Sequence, residues 1–245
     1  MFNKNIEITV PVLDEEDSIV AQFETLIDFL DLEMADYENI KIIIADNGST
    51  DRTQELSEAL AANHDRIQYL RLEERGVGRA LKSSWGASQA DIVGYMDLDW
   101  ATDLKHLPEA FEPLMTDEAD VVTGSRLLPK SKVKNRKLIR AFTSRAFNTM
   151  VQTYLGAKFS DGMCGFKFLQ RRHLDRLREL GANNDGWFFA TELLMCAQHE
   201  KLRILDLPVV WTDDPNSKAK IGKLAKEYMR SMKELKESLA NSKSA

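Results

Sequence analysis

Short runs of aliphatic and β-branched residues alternate along the first hundred positions with longer stretches whose apolar residues recur every three or four places. IEITVPVL (Ile6–Leu13), IKIIIAD (Ile40–Asp46), IQYLRL (Ile67–Leu72) and the DIVGYMDL run from Asp91 have strand length, and IKIIIAD reads as fully buried. Between them, Ser18–Leu32 carries Ile19, Val20, Phe23, Leu26, Ile27 and Leu30 at helical spacing. Arg52–Ala62 predicts a second helix, with Ser49, Thr50 or Asp51 as its cap, and GVGRALKSSWGAS opens a third. Strands that alternate with helices in this way predict an α/β fold. The sheet should be mainly parallel and twisted, with helices on both faces.

The second half is less regular. Ala119–Leu127 predicts a strand, Lys137–Leu155 an amphipathic helix, and SDGMCGFKFL a loop leading into a strand. Trp187–His199 follows as a helix, LRILDLPVVW as one strand, and Ala219–Leu239 as a basic helix. No repeat or low-complexity linker interrupts the chain. A single domain over residues 1–230 is expected, with its first half to about 103 and its second from 104 to 218. A basic helical tail covers 219–245.

Open parallel sheets bind ligands beyond the carboxyl ends of their strands. Leu13-Asp14-Glu15, Asp46-Asn47-Gly48 and Asp97-Leu98-Asp99 all fall at such ends. Asp103 has an ordinary role open to it, capping the helix Leu104–Met115. Asp97 and Asp99 are harder to explain structurally, because two anions two residues apart at a buried strand end repel. A hard divalent cation, Mg²⁺ or Mn²⁺, removes that conflict and commonly takes one or two carboxylates plus substrate phosphates. GVGRAL has Leu81 where a dinucleotide fingerprint needs its third glycine, and no Walker sequence occurs. It reads as a glycine-assisted helix start, with Arg75 and Arg79 placed to meet phosphates.

Composition removes other classes. The net charge of −6 argues against a general nucleic-acid binder. Two cysteines and four histidines, none at metal-ligand spacing, argue against zinc and suit reduced thiols in the cytoplasm. The N-terminus lacks the apolar core of a signal peptide, and no run reaches the ~20 apolar residues that span a bilayer.

Together these segments resemble family 2 glycosyltransferases of the dolichol-phosphate mannose synthase and polyprenyl-phosphate glycosyltransferase branch. VPVLDEEDSI, IIIADNGSTDRT, ERGVGRALKSSWGASQADIVGYMDLD, VVTGSR, SRAFN, SDGMCGFKFL, GWFFATELL and LPVVWTDDPNSK follow the family's order from Ile6 to Ile221. The resemblance implies a GT-A fold and an inverting, metal-dependent transfer of sugar from a UDP- or GDP-linked donor to a polyprenyl or dolichyl phosphate. It further implies that Pro11, Leu13, Glu15, Asp46, Gly48, Arg75, Arg79 and Asp97 bind the nucleotide-sugar and that Asp97 and Asp99 hold the metal. Arg126, Arg145 and Lys218 would meet the acceptor phosphate, with Asp99, Asp161, Arg126 and Arg145 forming the reacting centre. Ordinary alternatives stand beside these roles: a strand-end surface charge for Arg126, a solvated helix face for Arg145, and core or pocket wall for Trp187 and Trp211. Cys164 reads as a small packed residue. Leu13, Asp14, Asn47 and Trp100 depart from the family's common residues.

The stretch from Leu127 to Ser160 contains no acid and includes Lys130, Lys132, Lys134, Arg136, Lys137, Arg140 and Arg145. Such a segment can dock on an anionic membrane surface over 127–160; a solvated basic loop followed by a core-packed helix is the alternative. A cytoplasmic protein, free or peripheral on the membrane, is expected. A soluble glycosyltransferase with a non-lipid acceptor is the nearest rival. A sugar-phosphate nucleotidyltransferase would open on a glycine-rich loop, which VPVLDEED lacks, and a catalytically dead binding subunit would not need Asp97, Asp99, Arg126 and Asp161 intact.

Overall fold

The structure is a computed structural model and describes residues 4–136, 138–213 and 221–242. Its first half runs β1 (Ile6–Val12), α1 (Ile19–Glu33), β2 (Ile40–Asp46), α2 (Thr53–Asn63), β3 (Ile67–Arg71), α3 (Val77–Ala87) and β4 (Ile92–Met96). The second half continues α4 (His106–Met115), β5 (Val121–Ser125), β6 (Lys132–Lys134), α5 (Leu138–Leu155), β7 (Phe166–Gln170) and α6 (Leu174–Glu179). It ends with α7 (Phe189–His199), β8 (Ile204–Pro208), β9 (Val210–Thr212) and α8 (Ile221–Asn241).

Seven strands form the central sheet in the order β3-β2-β1-β4-β7-β5-β8. Neighbours are parallel except at β7, which runs against both β4 and β5. The chain leaves β1 in one direction for β2 and β3, then crosses to β4 on the other side. That reversal opens the crevice at which α/β sheets take their ligands. Because β7 is reversed, the loop before it, residues 161–165, lies at the same sheet end as the carboxyl ends of β4 and β5.

Both faces of the sheet are covered, which explains the near-continuous apolar strands. Ile92 and Met96 of β4 join the core shared with α1 and α4, while Val93 and Tyr95 join the core beneath α3, α6 and α7. Gly94 sits where a Cβ would fall 2.0 Å from the Phe168 ring of β7, so only glycine lets these two strands pair. Asp51, among the three candidate caps, accepts the Thr53 N–H at 2.9 Å and starts α2.

LRILDLPVVW does not form one strand. β8 pairs with β5 at the edge of the main sheet, whereas β9 pairs with β6 in a separate two-stranded sheet. Pro208 is the last residue in register with β5; lacking an N–H, it cannot extend the ladder. The basic helix α8 buries Tyr228, Met232, Leu235 and Leu239 in the second core. Its Lys226, Arg230, Lys233 and Lys236 face outward.

Candidate active site

The acidic tip of β4 is built against the loop before β7. Asp97 donates its backbone N–H to the Gly165 carbonyl at 3.3 Å. A Cβ at Gly165 would lie 1.9 Å from Asp97 Oδ2, so the carboxylate occupies the space a side chain would need. The backbone then turns sharply, with Trp100 at φ +44°. Its indole N–H donates to the Gln22 carbonyl at 3.0 Å and its ring meets Phe23 edge-on, which ties the turn to α1. Asp99 is exposed, and its Oδ1 accepts the Ala101 N–H at 3.0 Å.

Burial and then the neighbouring Asp99 push the Asp97 carboxyl up to about 7. A cation between the two would relieve that penalty, so these carboxylates fit a divalent ion. Among the described residues no group of three or more His, Cys, Asp or Glu could hold a metal alone. Two carboxylates completed by substrate phosphates is an arrangement Mg²⁺ and Mn²⁺ accept.

Beside this tip, Arg126 follows β5 and grips Asp161 with two prongs, Nε to Oδ2 at 2.7 Å and Nη2 to Oδ1 at 3.0 Å. Asp161 is fully buried and also accepts from Asn148 Nδ2 of α5 at 3.2 Å. Burial works against its charge, but Arg126 overrides this and holds the carboxyl at about 2. Arg126 also lies 4.7 Å over the Trp211 ring, so Trp211 forms pocket wall. Trp187 is not part of the core; it is 46% exposed. Lys167 of β7 is buried beneath the site and donates to the Cys164 carbonyl at 2.5 Å. Cys164 is packed, and burial raises its thiol to about 11, which keeps it protonated.

At the ends of β1 and β2, Pro11, Leu13 and Glu15 are half-buried. Glu15 accepts the Ser18 hydroxyl at 2.7 Å. Asp46 is fully buried and accepts the Ser49 N–H at 2.8 Å, the Tyr69 hydroxyl at 2.9 Å and Arg71 Nη1 at 2.5 Å. Gly48, at φ +80°, makes the turn that returns the Ser49 N–H to it. Tyr69 and Arg71 are neighbours of Asp46 that a search for acids in the sequence passes over.

GVGRAL serves packing. A Cβ at Gly76 would lie 2.3 Å from the Asp185 carbonyl, and one at Gly78 would lie 2.1 Å from the Asn184 carbonyl. Arg79 pairs with Glu74 and donates to Asp185 at 2.9 Å, so its charge is already engaged. Arg75 is exposed and 3.6 Å from Asp14.

The structure thus gathers Asp97, Asp99, Arg126 and Asp161 at one end of the sheet. Arg145 lies exposed on α5, one turn before Asn148, and Lys218 lies outside the described residues. Two further arginines of the basic segment join the second half of the site. Arg140 pairs with Asp213 at 3.3 Å. Arg136 has its ionisation opposed first by burial and then by Arg126. Among the described residues, three buried polar atoms here have no hydrogen-bond partner: Arg136 Nε, Ser144 Oγ and Trp211 Nε1.

Residues 7–178 match the sequence profile of glycosyl transferase family 2. The chain belongs to this family. Glycosyltransferase AglD of Haloferax volcanii is 34% identical over 218 residues, 87% of this chain and 34% of AglD. Dolichyl-phosphate β-glucosyltransferase ALG5C of Trichomonas vaginalis is 27% identical, with 89% of this chain and 66% of that one covered. Polyprenol monophosphomannose synthase of Mycolicibacterium smegmatis is 27% identical, over 71% and 67% of the two chains. This family 2 chain therefore spans about a third of AglD's length and about two thirds of the other two. The fold is GT-A-like. It matches glucosyl-3-phosphoglycerate synthase of Mycobacterium tuberculosis, crystallised with Mn²⁺, UDP and glucosyl-3-phosphoglycerate, at a TM-score of 0.64 and 18% identity, covering 95% of this chain and 80% of that one.

Proposed function

We propose that this chain transfers a sugar from a nucleotide-diphospho-sugar to a polyprenyl phosphate, with Mg²⁺ or Mn²⁺ bound and with inversion at the anomeric carbon. The observation that carries the reading is the juxtaposition of the acidic tip Asp97–Asp99 with the cation cluster around Arg126 at one sheet end. The first suits a metal-bound diphosphate and the second a phosphate acceptor. The dolichyl-phosphate and polyprenol relatives support the lipid acceptor. A fold relative crystallised with Mn²⁺, and separately with Mg²⁺ and UDP, agrees with the choice of ion.

Asp97 and Asp99 would hold the ion, which when bound neutralises the charge that develops on the leaving diphosphate. The ends of β1 and β2, with Pro11, Leu13, Glu15, Asp46 and Gly48, would seat the nucleotide, and Arg75 can reach its phosphates from the rim. A phosphate monoester is already anionic near neutral pH, so the acceptor needs no general base. Asp161 is accordingly free to serve Arg126. Its grip fixes the guanidinium's plane, and a fixed fork orients an oxyanion better than a mobile one. Arg145 and Lys218 would complete the acceptor side. Direct attack by a phosphate oxygen on the anomeric carbon then gives inversion without a covalent enzyme intermediate.

None of the described helices is long and apolar enough to cross a membrane. Peripheral docking through 127–160 would bring the acceptor to the site. Ile139 and Phe142 of α5 are 62% and 70% exposed, and Lys132 and Lys134 of β6 are exposed as well. Each cation near an anionic bilayer contributes about 1 kcal/mol, and the two apolar side chains can enter the interface.

A transfer assay tests the reading. Purified protein is given Mn²⁺ or Mg²⁺, a short polyprenyl phosphate and a panel of labelled UDP- and GDP-sugars, with EDTA as control. Metal-dependent label in the organic phase is expected, with the opposite anomeric configuration by NMR. Metal-dependent donor hydrolysis with no organic label would move the acceptor to a soluble metabolite or glycan. Retention of configuration would overturn the mechanism.

A further inference from the structure

Buried donors without partners are rare in folded proteins, because each forfeits its hydrogen bond to water. Here they cluster. Trp211 is 7% exposed and, among the described residues, its Nε1 has no hydrogen-bond partner, although Arg126 lies against the same ring. The indole is held by its backbone. Trp211 pairs with Val133 of β6 and bridges to Thr102, while the Thr212 N–H reaches the Ala101 carbonyl at 2.8 Å. These contacts join the acidic tip, the β6 strand and Arg126 at one residue. Arg136 follows β6, and its buried Nε is likewise unpaired.

The local charge points to what these donors await. Among the described residues, Arg126 and Arg145 both act on Arg136 beside Asp161 and Asp213, and Arg126 already consumes Asp161 through both prongs. Arg140 is engaged with Asp213. Burial first, and then the nearby Arg126, oppose the charge on Arg136. A dianionic phosphate monoester would answer both deficits at once, supplying negative charge and several acceptor oxygens.

We infer that Trp211 Nε1 and Arg136 Nε donate to the acceptor's phosphate and that, with Arg126 held by Asp161, they define its subsite. The inference rests on the phosphate-acceptor reading above and adds two residues to it. It also separates their contributions. Trp211 offers a neutral directional donor that positions one oxygen, and Arg136 offers charge as well as direction.

Two variants test this, Trp211→Phe, which keeps an aromatic surface for Arg126, and Arg136→Gln. Calorimetric titration with geranyl phosphate and with inorganic phosphate is done in the presence of nucleoside diphosphate and Mn²⁺, with melting temperature measured in parallel and transfer measured separately. Trp211→Phe should weaken geranyl phosphate binding about 10-fold and Arg136→Gln about 30-fold or more, with nucleotide binding unchanged. Trp211→Phe should leave the melting temperature unchanged or raise it, since the lost N–H had no protein partner. A purely structural tryptophan would show the reverse pattern, lower stability with unchanged phosphate binding, and that result overturns the inference. So does wild-type binding in both variants, or no binding of either phosphate to the wild type. Inorganic phosphate bound as tightly as geranyl phosphate would place the subsite's specificity in the phosphate alone and still support it. Variant-sensitive binding without transfer would refute the proposed reaction while leaving this subsite standing.

Discussion

Replacing Asp161 by asparagine probes the centre of the site with a change of one atom type. The carboxylate is fully buried and receives three donations from Arg126: Nε at 2.7 Å, Nη2 at 3.0 Å and the backbone N–H at 3.2 Å. Burial would raise its pKa, yet the arginine holds it at about 2. Against an ordinary carboxyl near ~3.9 in the unfolded chain, that depression corresponds to about 2 kcal/mol of native stability. The contribution is complete above the unfolded value and is lost as the pH falls through about 2. Asparagine removes the charge and leaves Arg126 buried without its counterion, a situation that costs about 3–5 kcal/mol. Urea unfolding at pH 7 should therefore show Asp161→Asn less stable by about 3 kcal/mol, with the gap to wild type narrowing in acid. Arg126→Met combined with Asp161→Asn should lose much less than the sum of the two single changes, giving a coupling of about 2 kcal/mol or more. A loss below about 1 kcal/mol, the range of an exposed ion pair, or simple additivity in the double variant, would refute the buried-pair reasoning.

Other expectations follow from the same geometry. Asp99→Ala should reduce kcat/KM for transfer about 10³-fold, or about 4 kcal/mol, and near-normal turnover would remove Asp99 from the metal site. Gly165→Ala places a Cβ 1.9 Å from Asp97 Oδ2; Mn²⁺ binding followed by electron paramagnetic resonance in the presence of nucleoside diphosphate should weaken at least ~10-fold, and unchanged binding would contradict the packing. Gly78→Ala drives a Cβ into the Asn184 carbonyl and should cost about 1–3 kcal/mol in thermal unfolding, whereas a neutral result would return GVGRAL to a phosphate role. Ile139→Asp with Phe142→Asp should abolish flotation with anionic vesicles while leaving the melting temperature within a few degrees, as both side chains are exposed; retained flotation would remove α5 from the docking surface.

Much of the architecture was legible in the residue pattern. The first four strands and three helices follow directly from the pattern, because a strand buried on both faces is largely apolar and a helix covering it must be apolar every three or four residues. The acids at the strand ends were equally visible, since polar residues interrupting an apolar run mark its exit from the core. Helix α8 was visible as a basic helix, but its buried stripe of Tyr228, Met232, Leu235 and Leu239 becomes meaningful only against α6 and α7. GVGRAL reads locally as a glycine-assisted helix start, and α3 does begin there, but the reason for its glycines is not local: the approaching group is backbone from residues 184 and 185, more than a hundred positions away.

What the sequence alone determined was the fold class, the family and the presence of two carboxylates at one strand tip, because these depend on residue type and short spacing. What tertiary structure decided was direction and partnership. No local pattern states that β7 runs backwards, yet that reversal brings Asp161 to Arg126 and Gly165 to Asp97. Nor does any local pattern reveal that Arg79 is engaged with Asp185 while Trp211 retains an unused N–H. Hydrogen bonds and ion pairs are short-range contacts between groups distant in the chain, so whether a side chain is engaged or available is settled only when the elements pack.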